Sequence, residues 1–347
     1  VGYARFGSRL ARDVVEISQD VKCLDSGGFW AVVVTFEGDV TCVRFGQVVD
    51  LPVSDLQPTG EPLWQVPDWA PLTGPWSTSL DEAAYRSGVT QIRDRIAAGE
   101  VYQACLCRIM SHPLADDADL SSLETLVAQA NPAPHAGRIC VPEAGLDLLS
   151  ASPEAFLIRH AGRIESRPIK GTATTLSAML VKDYAENVMI ADLVRNDLSA
   201  VCRPGTVSVD ALCAPEEHPG LTHLVTTVSG ELRNGVGWSE IMSATFPPGS
   251  VSGAPKSSAL RVIADLESVP RGPYCGAIGW VDADANEAEL AVGIRTFWAD
   301  RDASGERTLR FGTGGAITWG SDPAQEWAET ELKAARLIGL ASGRLEP

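Results

Sequence analysis

Lysine is scarce in this chain. Of its 28 basic residues only five are lysines, at positions 22, 170, 182, 256 and 333, and twenty-three are arginines. Acidic residues number 45, for a formal net charge of −17. A surface so short of positive charge is unsuited to nucleic acid or to an anionic membrane. A small anionic ligand is still possible, because a few arginines or a metal ion can set the sign of one pocket. The eight cysteines include no C-x-x-C pair, which argues against a zinc ribbon and for reduced thiols rather than a disulfide frame. No run of about 18 apolar residues occurs, so no membrane-spanning helix is expected. The first thirteen residues carry Arg5, Arg9 and Arg12 without the apolar core of a secretory signal, so a cytoplasmic location is expected.

What is present suits a large folded core. The chain has 347 residues, 45% of them hydrophobic, which permits one large domain or two ordinary ones. Residues 28–36 and 40–45 alternate as two short strands around Glu37-Gly38-Asp39, a hairpin signal. Residues 58–76 hold five prolines with Trp64, Trp69 and Trp76 between them, and read as a linker anchored by its tryptophans. This divides the chain into a strand-rich segment with its linker, 1–78, and a larger domain, 79–347, the two forming one compact unit. Helices are expected over 79–98, 119–130, 182–198 and 239–244. Another is expected to begin with Pro255 at its first position, and a last one runs to about 340 from the Asp322-Pro323 cap. Strands are expected over 101–110, 146–158, 163–167, 222–232, 274–281, 288–298 and 308–312. Strands in runs joined by short turns, without strict βαβ alternation, predict an α+β fold with antiparallel sheets.

Several side chains carry chemistry. Lys170 lies in Arg167-Pro168-Ile169-Lys170-Gly171-Thr172, where Pro168 stiffens the backbone and Gly171 permits a tight turn. Lysine is the cationic side chain able to act as a nucleophile or base, although a turn lysine is the more ordinary reading. Glu186 shares a helix face with Met189, Ile190 and Leu193, and lies either at the edge of an apolar stripe or buried with a partner. Glu326, Glu329 and Lys333 share a face of the last helix, where first-turn acids also suit the helix dipole. Gly312-Thr313-Gly314-Gly315-Ala316 reads as a glycine-rich turn after a strand, able to aim N–H groups at an anion. Arg295 reads as a strand arginine, a carboxylate clamp or an exposed position. His223 reads as a core histidine, and Glu154 as a turn acid at a strand end.

In order along the chain stand Ser152-Pro153-Glu154-x-Phe156, the Lys170 segment, Ala185-Glu186-Asn187-x-Met189-Ile190-x-Asp192-Leu193-x-Arg195-Asn196-Asp197-Leu198, His223-Leu224-Val225, Ser250-Val251-Ser252-Gly253-Ala254-Pro255-Lys256, Arg271-Gly272-x-Tyr274, Ile294-Arg295-Thr296 and the segment 312–330. This ordered set, over roughly residues 80 to 340, resembles the chorismate-utilising synthases. The resemblance implies an anthranilate-synthase-like fold: two antiparallel-rich sheets packed face to face with helices outside. Lysine in P-I-K-G-T resembles the para-aminobenzoate branch, aminodeoxychorismate synthase component I, whereas anthranilate synthases typically have alanine there. Gln103 resembles the ammonia-using enzymes, since isochorismate and salicylate synthases have a water-activating lysine near that place. Cys105 stands where many relatives have asparagine.

The activity so implied is conversion of chorismate and ammonia to 4-amino-4-deoxychorismate. The resemblance assigns Lys170 as nucleophile, Glu154 as general acid and His223 as a group that orients the ring. It assigns substrate binding to Thr172, Tyr274, Arg295, Gly314, Gly315 and Lys333. It implies Mg²⁺ held by Glu186 and Glu329, with Glu326 a nearby acidic candidate. The implied partner is a separate glutamine amidotransferase subunit that supplies ammonia. An anthranilate-forming enzyme and a non-catalytic binding protein on the same scaffold are the alternatives.

Overall fold

The computed structural model describes residues 2–51, 68–173, 175–218, 221–302 and 304–345. Most of the proline-rich linker, including Trp64, lies outside the described residues. Its far end is anchored by tryptophans as expected: Trp69 Nε1 donates to Ala341 O at 2.8 Å and Trp76 Nε1 to Ser342 Oγ at 3.2 Å.

In chain order the strands begin with β1 (Tyr3–Phe6), β2 (Arg9–Ser18), β3 (Phe29–Val34), β4 (Val40–Asp50), β5 (Ser77–Thr78) and β6 (Gln103–Pro113). There follow β7 (His135–Val141), β8 (Leu146–Ser152), β9 (Ala155–His160), β10 (Arg163–Arg167), β11 (Ile169–Ala173) and β12 (Ser208–His218). The last are β13 (Leu221–Glu231), β14 (Gly253–Ala254), β15 (Ala277–Asp282), β16 (Glu287–Val292), β17 (Thr296–Arg301) and β18 (Arg307–Ile317). The helices are α1 (Glu82–Ala97), α2 (Leu120–Ala130), α3 (Val181–Ser199), α4 (Trp238–Thr245), α5 (Lys256–Leu266) and α6 (Pro323–Ala341).

The ladders form one antiparallel ribbon. It starts at β12 and runs through β13, β10, β9, β16, β15 and β3 to β4. It continues through β2, β1, β7, β8, β17 and β18 to β6. β11 adds to β13 at one end, and β5 and β14 add to β6 at the other. The ribbon folds across β4 and β2, so its halves face each other and enclose one core. Val33, Leu157 and Ile278 enter that core from the first half, and Cys107, Ile139 and Leu148 from the second. The α+β fold of two facing antiparallel sheets is the one expected. The first fifty residues belong to both halves, because β1 pairs with β7 and β3 with β15.

Helices cover the outer faces. Asp81 caps α1 by accepting from Ala84 N at 2.8 Å, and Tyr85, Val89 and Ile92 then form its buried stripe. With α5, that stripe packs on Ala104 and Leu106 of β6. α2 and α6 bury the opposite face of β8, β17 and β18, through Leu123, Leu337, Phe297 and Phe311. Asp322 caps α6 by accepting from Ala324 N and Gln325 N, with Pro323 in its first turn, as the sequence indicates. Pro255 is the cap of α5, one place before the expected position.

Three strand expectations are corrected. The run 146–158 is two strands, β8 and β9, with Glu154 in the gap. The run 288–298 is also two strands, and Arg295 lies in the gap at φ +52°, not within a strand. That left-handed backbone turn separates β16 from β17. The expected glycine-rich turn over 312–316 is the continuation of β18, with Gly314 opposite Cys107 and Gly315 opposite Leu106. These glycines permit close approach rather than a turn. A Cβ at Gly312 would stand 2.0 Å from the Tyr274 ring.

Candidate active site

Lys170 is presented by a bulge. β11 pairs Ile169 with Val225 and Thr172 with His223, so it carries one residue more than β13 over that span. A bulge bends a strand and re-aims its side chains. Gly171 makes this one possible: its φ is +88°, and a Cβ there would lie 2.9 Å from Asp183 Cβ. Asn187 of α3 holds the bulge from behind. It is fully buried, and its Nδ2 donates to Lys170 O at 3.1 Å and to Leu224 O at 3.0 Å. Thr226 Oγ1 donates to the Asn187 side-chain oxygen, so the amide faces both strands in one orientation.

Lys170 Nζ donates to Ser250 O at 2.7 Å. Ser250 lies in the short 3₁₀ turn Gly249–Val251, and its hydroxyl bonds the Glu154 carboxyl. Glu154 is 4% exposed. Burial pushes its carboxyl up to about 7, against the Ser250 hydroxyl, the Lys170 charge and the Ile169 N–H, which pull the other way. A buried acid and an amine thus meet at one residue. The cleft beside them is lined by Ser166, Asp197 and Thr245 among others.

A second group of charges faces Lys170. Burial raises Glu186 above the ordinary carboxylate range, Lys170 and Lys182 oppose that, and Glu326 adds to it. Glu186 is half-buried, and the fully enclosed face of α3 is Asn187, Ile190 and Leu198, so Glu186 sits at the edge of the stripe. Burial also raises Glu326, which accepts from Ser321 Oγ at 2.6 Å and is pushed further by Glu329. Burial works to raise Glu329 as well, but Lys333, paired with it at 2.8 Å, brings it below the usual value. Among the described residues no three such side chains form a ready-made metal cage. The donors are nonetheless mutually repelling carboxylates, which suit a hard cation that takes its remaining ligands from water or substrate.

The other expected residues are distributed around this centre. His223 is buried on β13 opposite Thr172, whose side chain lies outside the described residues. Lys333 Nζ donates to Gly314 O at 3.0 Å. A strand residue's N–H and C=O point the same way, so Gly314 turns its edge away from β6 and Gly315 turns its edge toward it. Tyr274 is enclosed against Gly312, with Cys107 beside its hydroxyl, and burial keeps that hydroxyl protonated. Arg295 is half-buried. Burial pushes its guanidinium down and no charge among the described residues offsets this, an environment fitted to an incoming anion.

Two supports were not anticipated beyond Asn187. Arg271 and Glu267 form a buried ion pair at 2.6 Å. Arg271 Nη1 donates to Val251 O at 2.9 Å and Nη2 to Cys105 O at 3.2 Å, while Glu267 Oε1 accepts from Cys107 N at 2.8 Å. The pair therefore ties the Ser250 turn to β6. The pair lies just beyond the end of α5, in a bend that no helical spacing in the sequence marks. Gln103 of β6 is wholly buried, with both amide atoms unpartnered among the described residues.

Comparison with known proteins shows the family and the fold. An aminodeoxychorismate synthase of Streptomyces griseus is 38% identical over 283 residues, which is 77% of this chain and 38% of that protein. Anthranilate synthase component 1 of Saccharolobus solfataricus is 34% identical over 274 residues, 76% of this chain and 63% of that one. Aminodeoxychorismate synthase component 1 of Klebsiella aerogenes is 33% identical over 280 residues, 77% and 60%. The match therefore spans between 38% and 63% of the length of these relatives. Solved structures share the fold. Anthranilate synthase component I of Streptococcus pneumoniae superimposes with a TM-score of 0.78 at 21% identity, covering 96% of this chain and 92% of that one. The menaquinone-specific isochorismate synthase of Escherichia coli gives 0.80 at 17% identity, covering 98% and 88%. The family described as chorismate binding enzyme matches residues 53–339, and the chain belongs to it.

Proposed function

We propose that this chain is the chorismate-aminating component of an aminodeoxychorismate synthase. The observation that carries the reading is the meeting of the Lys170 amine and the buried Glu154 acid at Ser250. A lysine at this place is the feature that resembles the para-aminobenzoate branch. The chemistry needs Lys170 as free amine and Glu154 as protonated acid.

The steps balance as follows. Lys170 Nζ attacks C2 of the chorismate ring, both conjugated ring double bonds shift, and the C4 hydroxyl leaves as water with the proton of Glu154. Ammonia then adds at C4, both double bonds return to their first positions, and the C2–N bond to Lys170 breaks. The Glu154 carboxylate takes up the proton released by the new amine. His223 orients the ring, while Tyr274, Arg295 and the outward backbone edge of Gly314 bind the enolpyruvyl carboxylate, with Thr172 and Lys333 lining the substrate; Gly315, whose edge faces β6, is left to the ladder. Glu186 and Glu329, with Glu326 beside them, would hold Mg²⁺, whose charge offsets the ring carboxylate.

Incubation with chorismate, ammonia and Mg²⁺ tests the reading. Formation of 4-amino-4-deoxychorismate, converted to para-aminobenzoate only when a lyase is added, is expected. A second reading, anthranilate synthesis, is favoured by the relative of that name at 34% identity. Anthranilate fluorescence without added lyase would establish it in place of the first. No turnover with ammonia in excess would favour a binding protein. The proposed source of ammonia is a glutamine amidotransferase subunit. Glutamine should support turnover only when that subunit is added, and glutamine-dependent turnover by this chain alone would overturn the assignment.

A further inference from the structure

Ser250 O accepts two hydrogen bonds. One comes from Lys170 Nζ at 2.7 Å and the other from the Cys105 thiol, with Sγ at 3.6 Å. We propose that Cys105 is a positioning residue for Lys170: its thiol shares the Ser250 carbonyl and keeps that oxygen bonded when the amine turns to the substrate. The proposal rests on Lys170 being the nucleophile, as argued above.

The geometry gives the thiol little freedom to do anything else. Cys105 is 5% exposed. Its N–H donates to Ser252 O at 2.8 Å, and its carbonyl accepts from Arg271, which also holds Val251 O. Strand and turn are thereby fixed on either side of the Sγ···O contact. Lys170 cannot both hold Ser250 O and attack a ring carbon. An enclosed carbonyl that loses its donor is disfavoured by more than the bond itself is worth, so departure of the amine is easier if a second donor stays. Burial holds the thiol up at about 11, against the nearby Lys170 charge, so at neutral pH it is an S–H donor and not a thiolate. An S–H is a weak donor, a hydroxyl a stronger one, and a methyl group none. The strength of the donor at position 105 should therefore set how readily the amine is released.

The test is the rate at which Lys170 is acetylated by acetic anhydride at pH 8 in the full chain, read by peptide mass spectrometry with Lys22 as internal standard. No chorismate is needed. Cys105→Ala should slow acetylation by about three- to fivefold, the size of one modest hydrogen bond. Cys105→Ser should match or exceed the parent rate. Turnover with ammonia should follow the same order, with KM for chorismate unchanged. If Cys105→Ala reacts as fast as the parent or faster, the thiol only fills space and the proposal is overturned. If the alanine variant does not fold, the serine variant decides alone: an equal or faster rate supports the proposal, and a slower one overturns it. Because labelling uses no substrate, its outcome is separate from the identity of the product, which tests the function itself.

Discussion

Glu154 owes its chemistry to where it is buried. Ionising it inside the fold is unfavourable, so it holds its proton to about pH 7. As the proton donor, it should give kcat/KM an alkaline limb near that value, falling as pH rises. The same burial has a sign for stability. A carboxyl whose folded pKa is raised favours the folded state at low pH, and that contribution is lost as pH climbs from the ordinary 4.5 through about 7. Glu154→Gln should remove this dependence. Thermal melts should show it on the order of 2–3 kcal/mol more stable relative to the parent at pH 8 than at pH 5, with amination largely abolished. Lys170→Ala should lower amination by about 10²-fold or more, measured as product formed with saturating ammonia. From their neighbours alone Lys170 reads as a turn lysine and Glu154 as a turn acid, and it was the ordered set of motifs around them that singled both out. Asn187 and Arg271 were not legible as supports, since each acts by reaching main-chain carbonyls on strands distant in sequence, Leu224 for one and Cys105 for the other.

Elements misread in the sequence share a physical cause. Glycines normally punctuate chains, but in β18 they let Tyr274 and β6 come close without ending the strand. β12 went unseen because Pro215 interrupts its run and its pairing with β13 shifts twice, which hides any period of two. The strand expected over 101–110 is β6, and Cys105 and Cys107 share its core-facing side. α3 was placed nearly to the residue, but its inner face is led by Asn187 rather than by Met189 and Leu193. Asn187→Ala tests how far this helix holds the bulge. The buried Leu224 carbonyl, the part-buried Lys170 carbonyl and the Thr226 hydroxyl would lose their partner, and urea denaturation should register a loss of about 2–4 kcal/mol. Amination should fall more steeply than stability below the unfolding midpoint, because the bulge that aims Lys170 loosens first.

The molecule as a whole depends on its first fifty residues. In sequence they read as a strand-rich segment forming one compact unit with the rest, and β1 and β3 supply partners to β7 and β15 in opposite halves. Deleting residues 2–50 should expose two long sheet edges and yield aggregated protein, seen by size-exclusion chromatography and circular dichroism. A folded, active remainder would show that the strands are dispensable. Sequence patterns conveyed the class of fold because strand runs and turns are local. The joining of two sheets into one ribbon was hidden, because pairings such as β3 with β15 link residues more than two hundred positions apart.

The two ends of that ribbon meet at Lys170. β11 and β13 approach β6 and β18 there, and among the described residues no ladder joins the two pairs. What crosses the gap is a lysine, a thiol and the carbonyl they share. The rest of the sheet is zipped by backbone, whereas this seam is buttoned by side chains. On the proposed function, a substrate lodged in this seam would fasten the two free margins of the molecule to each other, and product release would unfasten them with every ladder intact.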